Sequence, residues 1–326
     1  MDFYKQTSVF TDCGRYKPDL AHLWKGIAQC DIKKLCKLIQ STTVHRAVIV
    51  EAMNGKDMSA YGDFSYIDHR TPMKEDDILL TANAMLAEIY RRDENGFHFY
   101  RPARKRIIVT CRYVSVLVSA ILKANGIPCR SRAGWVTYLP SKANAIDHWV
   151  NEYWDAQSLR WVMFDCDDII EFNGKPVADY VKNGFCNHYT DFGSKKDEYY
   201  ISGARMWLNY RNDNNIAKDL RIGTRVPSPE DLLNYMFYDF WALMNYEVNY
   251  RFYPMHFSEK ITDMPQKKLK QLDIFANLLL DPDKNFTELC KLYDTPEFRI
   301  MCSPLASPIN FIKKPTFHED KNPRSN

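Results

Sequence analysis

The chain has 326 residues, of which 45% are hydrophobic and 14% aromatic, with only 12 Gly and 16 Pro. This composition excludes a collagen-like or low-complexity chain and supplies ample apolar material for a core. The formal net charge of +3, from 44 basic and 41 acidic side chains, argues against binding of nucleic acid or an anionic membrane through bulk charge.

Nine cysteines are spread along the chain without any CxxC pair. An odd number without paired spacing does not fit a disulfide framework or a zinc knuckle. We therefore expect a reducing, cytoplasmic location. The N-terminal segment has an acid at position 2 and no apolar h-region, which predicts no secretory leader. No apolar run approaches the length of a membrane span, so none is predicted.

The first segment, residues 1–78, is predicted to be mainly helical. Apolar side chains recur with helical spacing in two stretches, which are Leu20, Leu23, Trp24 and Ile27, then Ile32, Leu35, Cys36 and Ile39. A further amphipathic helix is predicted over residues 77–92, with Ile78 on its apolar face. These stripes are typical of core packing.

The middle segment, residues 79–172, is predicted to contain one buried helix followed by three strands. The helix covers residues 111–125, with Gly126 at its C-terminal cap and Pro128 shortly after as a stop signal. The strands cover residues 130–138, 148–154 and 160–165, which are rich in Trp, Tyr and Val.

The last segment, residues 173–326, is predicted to be helical again, with a frayed polar tail from position 313. A helix should begin at Ser228, which acts as N-cap before Pro229 and two acids. The aromatic-rich stretch 232–257 that follows favours a core or a domain interface. One wall of a substrate cleft is the alternative.

Cys111 is the candidate nucleophile. It stands at the predicted start of the apolar helix, where free backbone N–H groups and the positive end of the helix dipole would stabilise a thiolate. The same N–H groups would hold the oxyanion of an acyl-transfer intermediate.

His148 and Asp165 are the candidate base and its orienting acid. A hairpin folded about Ala156 and Gln157 would place them directly opposite each other, with Cβ atoms ~4.5–5.5 Å apart. The strand phase also puts them on a common face. A turn shifted by one residue would separate them onto opposite faces, so the register remains an inference.

Several runs carry a resemblance to a known family. They are the helix and stop VSVLVSAILKANGIPCRSRAGWVTY after Cys111-Arg112, the run DHWVNEYWD at 147–155, and the run RWVMFD at 160–165. Together they resemble the transglutaminase-like superfamily, whose members are circularly rearranged relatives of papain-type cysteine proteases. More narrowly, the chain resembles bacterial transglutaminase-domain proteins of unassigned substrate.

The resemblance implies an α+β fold: a papain-like or transglutaminase-like core, in which a buried helix carrying Cys111 packs on an antiparallel sheet, with flanking N- and C-terminal helices. It implies acyl transfer on a peptide or protein amide, with Cys111 as nucleophile, His148 as general base and acid, and Asp165 as orienting carboxylate. Water as the final acceptor gives a peptidase or amidase, and an amine gives a transglutaminase. We favour hydrolysis because water is always present. A non-catalytic protein that binds a peptide in the same cleft is the alternative.

No cofactor or metal is expected. Zinc held by the three candidate residues with Cys129 or Cys166 lacks paired ligand spacing. The upstream CxxC pairs of peptide:N-glycanases are absent, as is a D-x-D-x-D-G calcium loop. The basic run at 101–106 is interpreted as a solvated loop, with substrate docking near Cys111 as the weaker interpretation.

Overall fold

The computed structural model describes residues 1–26, 31–65, 78–139, 143–167, 191–250 and 252–300. Its α-helices are α1 (Lys17–Gly26), α2 (Ile32–Thr42), α3 (Arg46–Met53), α4 (Ala82–Arg92), α5 (Cys111–Ala124), α6 (Lys196–Tyr199), α7 (Gly203–Asn212), α8 (Pro229–Leu243), α9 (Gln266–Leu279) and α10 (Phe286–Tyr293). Its strands are β1 (Thr43–His45), β2 (Ile107–Val109), β3 (Cys129–Val136), β4 (Ala145–Asp155), β5 (Arg160–Phe164), β6 (Tyr200–Ser202) and β7 (Leu220–Arg221). The predicted tail from position 313 lies outside the described residues.

The main sheet has the order β5-β4-β3-β6, and β7 pairs in parallel with the start of β4. The other pairings in this sheet are antiparallel. Helix α5 packs on β3 and β4, and α8 packs on β3. The chain is thus an α+β fold with a buried helix on a largely antiparallel sheet, as predicted. The predicted order of helix and three strands is also confirmed.

Helix α5 is buried on all its faces from Cys111 to Lys123. The polar groups around its two serines are satisfied across the layer, because the Asn151 amide donates to the Ser115 carbonyl at 3.0 Å and to the Ser119 hydroxyl at 2.9 Å. A buried amide left without these partners would cost about 1–3 kcal/mol. These bonds fix the rotation and height of α5 against β4, and hence the position of Cys111 relative to His148.

The flanking helices follow the sequence with one correction. Helix α2 buries its four predicted apolar residues, and α8 begins at Pro229 with a complete Ser228–Asp231 capping box. The predicted helix 77–92 begins later, at Ala82, because Thr81 caps it by accepting the Ala84 N–H. Ile78 consequently lies outside the helix and is 67% exposed, so its placement on the apolar face is wrong. Position 27 of the predicted first stripe lies outside the described residues.

A short parallel pair, β1 with β2, was not predicted. It joins the N-terminal helices to the segment directly before α5, with Thr43 opposite Ile107 and His45 opposite Val109. Strands of three residues show too few alternations to be read from periodicity. The pairing crosses the predicted boundary at position 78, and the division into three segments stays a prediction.

Buried ion pairs fasten the sheet to the C-terminal region. The Arg132 guanidinium makes two parallel bonds to the Asp239 carboxylate of α8, at 2.8 and 2.9 Å, and a third to Glu152 at 2.9 Å. Arg130 donates to the same Glu152 oxygen at 2.7 Å. Forked Arg–carboxylate bonds fix geometry as well as charge, so α8 is held in one position on β3.

None of the helices within the described ranges combines the length and the apolar character that crossing a bilayer requires.

Candidate active site

Cys111 is the first residue of α5. The preceding residue, Thr110, is extended and makes no side-chain cap to the helix, so no capping side chain occupies the first backbone N–H groups. The thiol is buried, with 6% of the residue exposed, and lies 3.1 Å from the Tyr250 hydroxyl. A helix start of this kind favours an anion at the sulfur.

The segment that carries Tyr250 is held by the residue after the nucleophile. The fully buried Arg112 donates to the Val248 carbonyl at 3.2 Å and to the Leu80 carbonyl at 2.8 Å. These bonds join the start of α5 to the stretch after α8. The contact between the thiol and Tyr250 is therefore fixed from both sides.

His148 lies on β4 and is fully buried. Its Nε2 atom is 2.9 Å from Oδ2 of Asp165. Its Nδ1 atom is also buried and has no hydrogen-bond partner among the described residues. Because Nε2 is taken by the carboxylate, Nδ1 is the nitrogen left to serve Cys111, whose thiol interacts with this imidazole.

Asp165 follows directly after β5. Besides His148, its carboxylate accepts the Tyr138 hydroxyl at 2.7 Å and the Asp167 backbone N–H at 2.8 Å. Three donors around one buried carboxylate hold it in a single orientation. The structure thus brings all three predicted residues together.

The predicted hairpin register is wrong by two residues. Asp155 pairs with Arg160 and Glu152 with Met163, so the loop between the strands has four residues, 156–159. The Asp155 carboxylate accepts the backbone N–H groups of Gln157 and Ser158, which fixes this wider turn. A shift of two residues preserves the face of each side chain. His148 and Asp165 therefore still meet, but along a diagonal.

The pKa values of the pair are set by burial and by charge. Burial by itself lowers the pKa of His148, but the Asp165 carboxylate overrides it and raises the pKa well above the usual range. Burial raises the pKa of the Cys111 thiol, and the neighbouring His148 imidazole partly opposes this. The lowered thiol pKa that the helix start predicts is not found, because desolvation outweighs it.

A cavity of about 500 Å³ opens beside the thiol and the imidazole. The aromatic side chains of Tyr235, Tyr238 and Tyr250 form one wall. The aromatic stretch after Ser228 thus lines this cavity and also supplies core residues such as Phe237 and Phe240. The cavity is large enough for a side chain and its adjoining peptide group.

Asp147, the residue before His148, also lines this cavity. Burial raises the pKa of its carboxyl group, although the Tyr235 hydroxyl and the Gly223 backbone N–H both donate to it. Through these two hydrogen bonds, the carboxylate joins β4 to α8 and to the loop after β7. Asp147 is thereby a structural part of the cavity wall.

Two residues near the thiol were missed. His45 from β1 and Asp167 lie beside Cys111, and one ligand atom from each of the three falls within 4.8 Å of the others. Within the described chain this is the group with the spacing of a metal site. Nδ1 of His45 accepts the Ala47 N–H at 3.1 Å, which places the ring proton on Nε2. A metal at Nε2 would displace that proton and break this cap, so the site as built does not fit an ion. Only the strand pairing of β1 with β2 could have revealed His45.

The basic run at 101–106 is not a solvated loop throughout. Arg101 is 1% exposed and donates to the carbonyls of Ile89, Gly96 and Lys105 at 2.5–2.8 Å. Lys105 pairs with Asp93 at 3.1 Å. The run does not line the cavity beside Cys111. Its first residue organises the turn before β2.

A thiol at the start of a buried helix, with an imidazole on a following strand and a carboxylate directly after the next strand, is the arrangement of cysteine-based catalytic folds. Residues 84–166 match the family model of the transglutaminase-like superfamily, 83 of the 326 residues. This segment is accordingly a transglutaminase-like core, as the sequence motifs indicated, and it contains Cys111, His148 and Asp165.

No curated protein sequence matches the chain. Among solved structures, it is similar to a proposed cysteine protease from Cytophaga hutchinsonii, with 14% identity and a TM-score of 0.30. The similarity covers 52% of this chain and 43% of that one, less than half of that protein's length. A similarity at this level carries no argument about fold or function.

Proposed function

We propose that this protein is a cysteine-dependent hydrolase or acyltransferase that acts on a peptide or protein amide. Cys111 is the nucleophile, His148 the general base and acid, and Asp165 the group that orients His148. The observation that carries the proposal is the bond from His148 Nε2 to Asp165, which leaves Nδ1 for the thiol. Three residues of these types with this division of hydrogen bonds are typical of nucleophilic catalysis.

The reaction follows from the placement of the protons. His148 Nδ1 takes the thiol proton, and the sulfur lone pair forms a bond to the carbonyl carbon while the C=O π pair moves to oxygen. When this intermediate collapses, the C–N bond breaks and the amine leaves with the proton from Nδ1. An acyl-enzyme on Cys111 remains. Water or a second amine then adds, gives its proton to Nδ1, and expels the sulfur.

Water and an amine are the two acceptors that this chemistry allows. We favour hydrolysis, because water reaches an open cavity without a dedicated binding site. Release of the acyl group from p-nitrophenyl acetate-treated protein, with and without added methylamine, distinguishes the two acceptors. A product ratio governed by the concentration of the amine alone indicates a hydrolase without an amine site.

A reducing, cytoplasmic location and independence of metals are part of the proposal. The six cysteines in the described ranges are all free thiols: Cys13, Cys36, Cys111, Cys129, Cys166 and Cys290. An active thiol must remain unpaired, which a reducing compartment ensures. Treatment with a chelator should therefore leave the acyl-transfer rate unchanged.

The proposal is tested by alkylation with iodoacetamide across pH, with the modified cysteine identified by peptide mass. We expect Cys111 to react fastest near neutral pH, and its excess reactivity to disappear in His148→Ala. Cys290 is the matched control, because it is more exposed than Cys111 but has no histidine partner among the described residues. Cys290→Ala should leave the fast reaction intact, and Cys111→Ala should remove it.

The alternative, a non-catalytic peptide-binding protein, makes the opposite prediction. It requires that the thiol be no more reactive than Cys290 and that removal of His148 change nothing. That result would overturn the proposed function. The common cavity of the Cys111 thiol and the His148 imidazole supports the catalytic proposal instead.

A further inference from the structure

His45 is placed beside the nucleophile by strand pairing. It ends β1, and its partner in β2 is Val109, two residues before Cys111. The side chain is 12% exposed and lines the cavity that holds the thiol. A residue from the N-terminal segment thus lies beside the start of α5, although 66 positions separate His45 and Cys111 in sequence.

The protonation state of His45 is set by its backbone partner. Nδ1 accepts the Ala47 N–H at 3.1 Å and caps α3, so this nitrogen carries no proton. The remaining proton is on Nε2. Burial, followed by the charge of His148, lowers the pKa of His45 to about 3. At neutral pH the ring is therefore an uncharged N–H donor with one fixed tautomer.

Among the described residues, the Nε2–H group makes no hydrogen bond, and His45 lines the same cavity as Cys111. Nε2 lies 3.6 Å from Oδ2 of Asp167, which is longer than a hydrogen bond. The same cluster includes the Cys111 sulfur within 4.8 Å. A carbonyl oxygen delivered to this sulfur would arrive between the backbone N–H at the start of α5 and the His45 ring.

We propose that His45 is a catalytic residue, whose Nε2–H joins the Cys111 backbone N–H to bind the oxyanion of the acyl-transfer intermediate. This inference rests on the proposed function. The donor gives up no proton. Its hydrogen bond stabilises the negative charge that moves onto oxygen as the S–C bond forms, and this bond weakens when the C=O double bond forms again. A neutral donor is suited to this role because it cannot protonate the intermediate or quench the thiolate.

The same tautomer excludes His45 as the general base. Nδ1 is occupied by the Ala47 N–H, and Nε2 already holds a proton. The base must be His148, whose Nδ1 is buried beside the thiol without such a bond. The two histidines therefore have separate roles at one sulfur atom.

Two substitutions at position 45 separate the donor from the helix cap. His45→Asn places an oxygen where Nδ1 was and keeps the cap of α3, since Asn is a favoured N-cap, but it removes the distal donor. His45→Gln places an amide N–H near the former Nε2 and keeps the donor. We expect acylation by p-nitrophenyl acetate to fall about 100-fold in His45→Asn and to recover at least partly in His45→Gln.

Alkylation with iodoacetamide distinguishes a catalytic role of His45 from a structural one, because a displaced thiol would be alkylated more slowly as well. Alkylation forms no oxyanion, so its rate in His45→Asn should stay near that of the wild type while acylation falls. Equal loss of both reactions would overturn the inference, because it would mean a displaced thiol. Unchanged acylation would overturn it too. His98→Asn, at a histidine that pairs with Asp93 away from the cavity, should change neither rate.

The same measurements keep the two proposals distinguishable. If the wild type is not acylated faster than Cys111→Ala, the proposed function fails. If Cys111 is required but His45→Asn is acylated like the wild type, only the role of His45 fails.

Discussion

His148 and Asp165 meet along a diagonal of the β4–β5 hairpin, because the last pair of the ladder is Asn151 with Phe164, so that the position after β5 is level with Val150 and not with His148. Diagonal Cβ atoms are ~7–8 Å apart at most, against ~4.5–5.5 Å for a direct pair. The carboxylate therefore reaches the distal ring nitrogen, Nε2, at 2.9 Å. The proximal nitrogen, Nδ1, is left on the side of Cys111. The register itself thus assigns the two nitrogens their roles.

Asp165→Asn should reduce acyl transfer by about 10²–10⁴-fold while the fold is retained. The amide keeps the shape of the side chain, but its single oxygen can accept from the Tyr138 hydroxyl or from the Asp167 backbone N–H and not from both, and it cannot stabilise an imidazolium. Rates with p-nitrophenyl acetate test this. Tyr200→Phe, which removes a buried hydroxyl bonded to the Ala133 carbonyl, is the control and should change the rate less than about twofold. A wild-type rate in Asp165→Asn would contradict the orienting role.

The same variant should show a pH-dependent loss of stability. The pKa of His148 is raised in the folded state, so its stabilisation is fully present below the unfolded pKa of about 6.5 and is lost as pH rises through the folded pKa. The difference in unfolding free energy between wild type and Asp165→Asn should therefore be larger at about pH 6 than at about pH 9. Urea titrations at the two pH values measure it. An equal difference at both would mean that His148 is neutral in the fold.

Tyr250→Phe should shift the pH dependence of Cys111 alkylation upward by about one unit. The hydroxyl is 3.1 Å from the sulfur and would donate to the thiolate, which favours the charged form. Loss of this bond raises the pKa of the thiol. The rate of iodoacetamide alkylation against pH is the measurement, with Tyr200→Phe again as the control. An unchanged profile would show that the thiol donates to Tyr250 in the reactive state.

Asp239→Ala should lower the free energy of unfolding by about 3–5 kcal/mol. It removes a fully buried carboxylate from the forked bond with Arg132 and leaves that guanidinium without its main counter-charge. Arg91→Ala is the matched control: Arg91 pairs with Glu88, but its side chain is 70% exposed, so its loss should cost less than about 1 kcal/mol. Denaturant unfolding compares the two. Similar costs would mean that the buried network does not hold α8 to the sheet.

Gly134→Ala should destabilise the sheet by about 1–3 kcal/mol through a steric clash. A Cβ at this position would lie 2.4 Å from the Ile201 carbonyl oxygen of β6 and 2.8 Å from the Tyr200 ring. Gly126→Ala is a contrast, since its Cβ would enter open space and only its φ of +73° opposes it, at a cost of about 1 kcal/mol. Thermal unfolding of the two variants separates packing from backbone strain. A milder effect at Gly134 than at Gly126 would contradict the close approach of β3 and β6.

Local patterns were enough to predict the core elements. The apolar run after Cys111, the Gly126 stop and the alternating strands specify α5 and β3–β5, because these signals depend on neighbours within a few positions. The period of two also placed His148 and Asp165 on one face. That assignment survived the error in register, since a shift by two residues leaves the faces unchanged.

Tertiary structure decided what depends on contacts between distant segments. The Asp155 side chain widened the turn and set the register, a detail of hydrogen bonding that periodicity does not report. His45, Tyr138 and Tyr250 reach the site only through the pairing of β1 with β2, the end of β3 and the chain after α8. The sequence alone determined which thiol, imidazole and carboxylate share a core. Packing determined which atom of each faces the others, since direction and burial are set by residues that are remote along the chain.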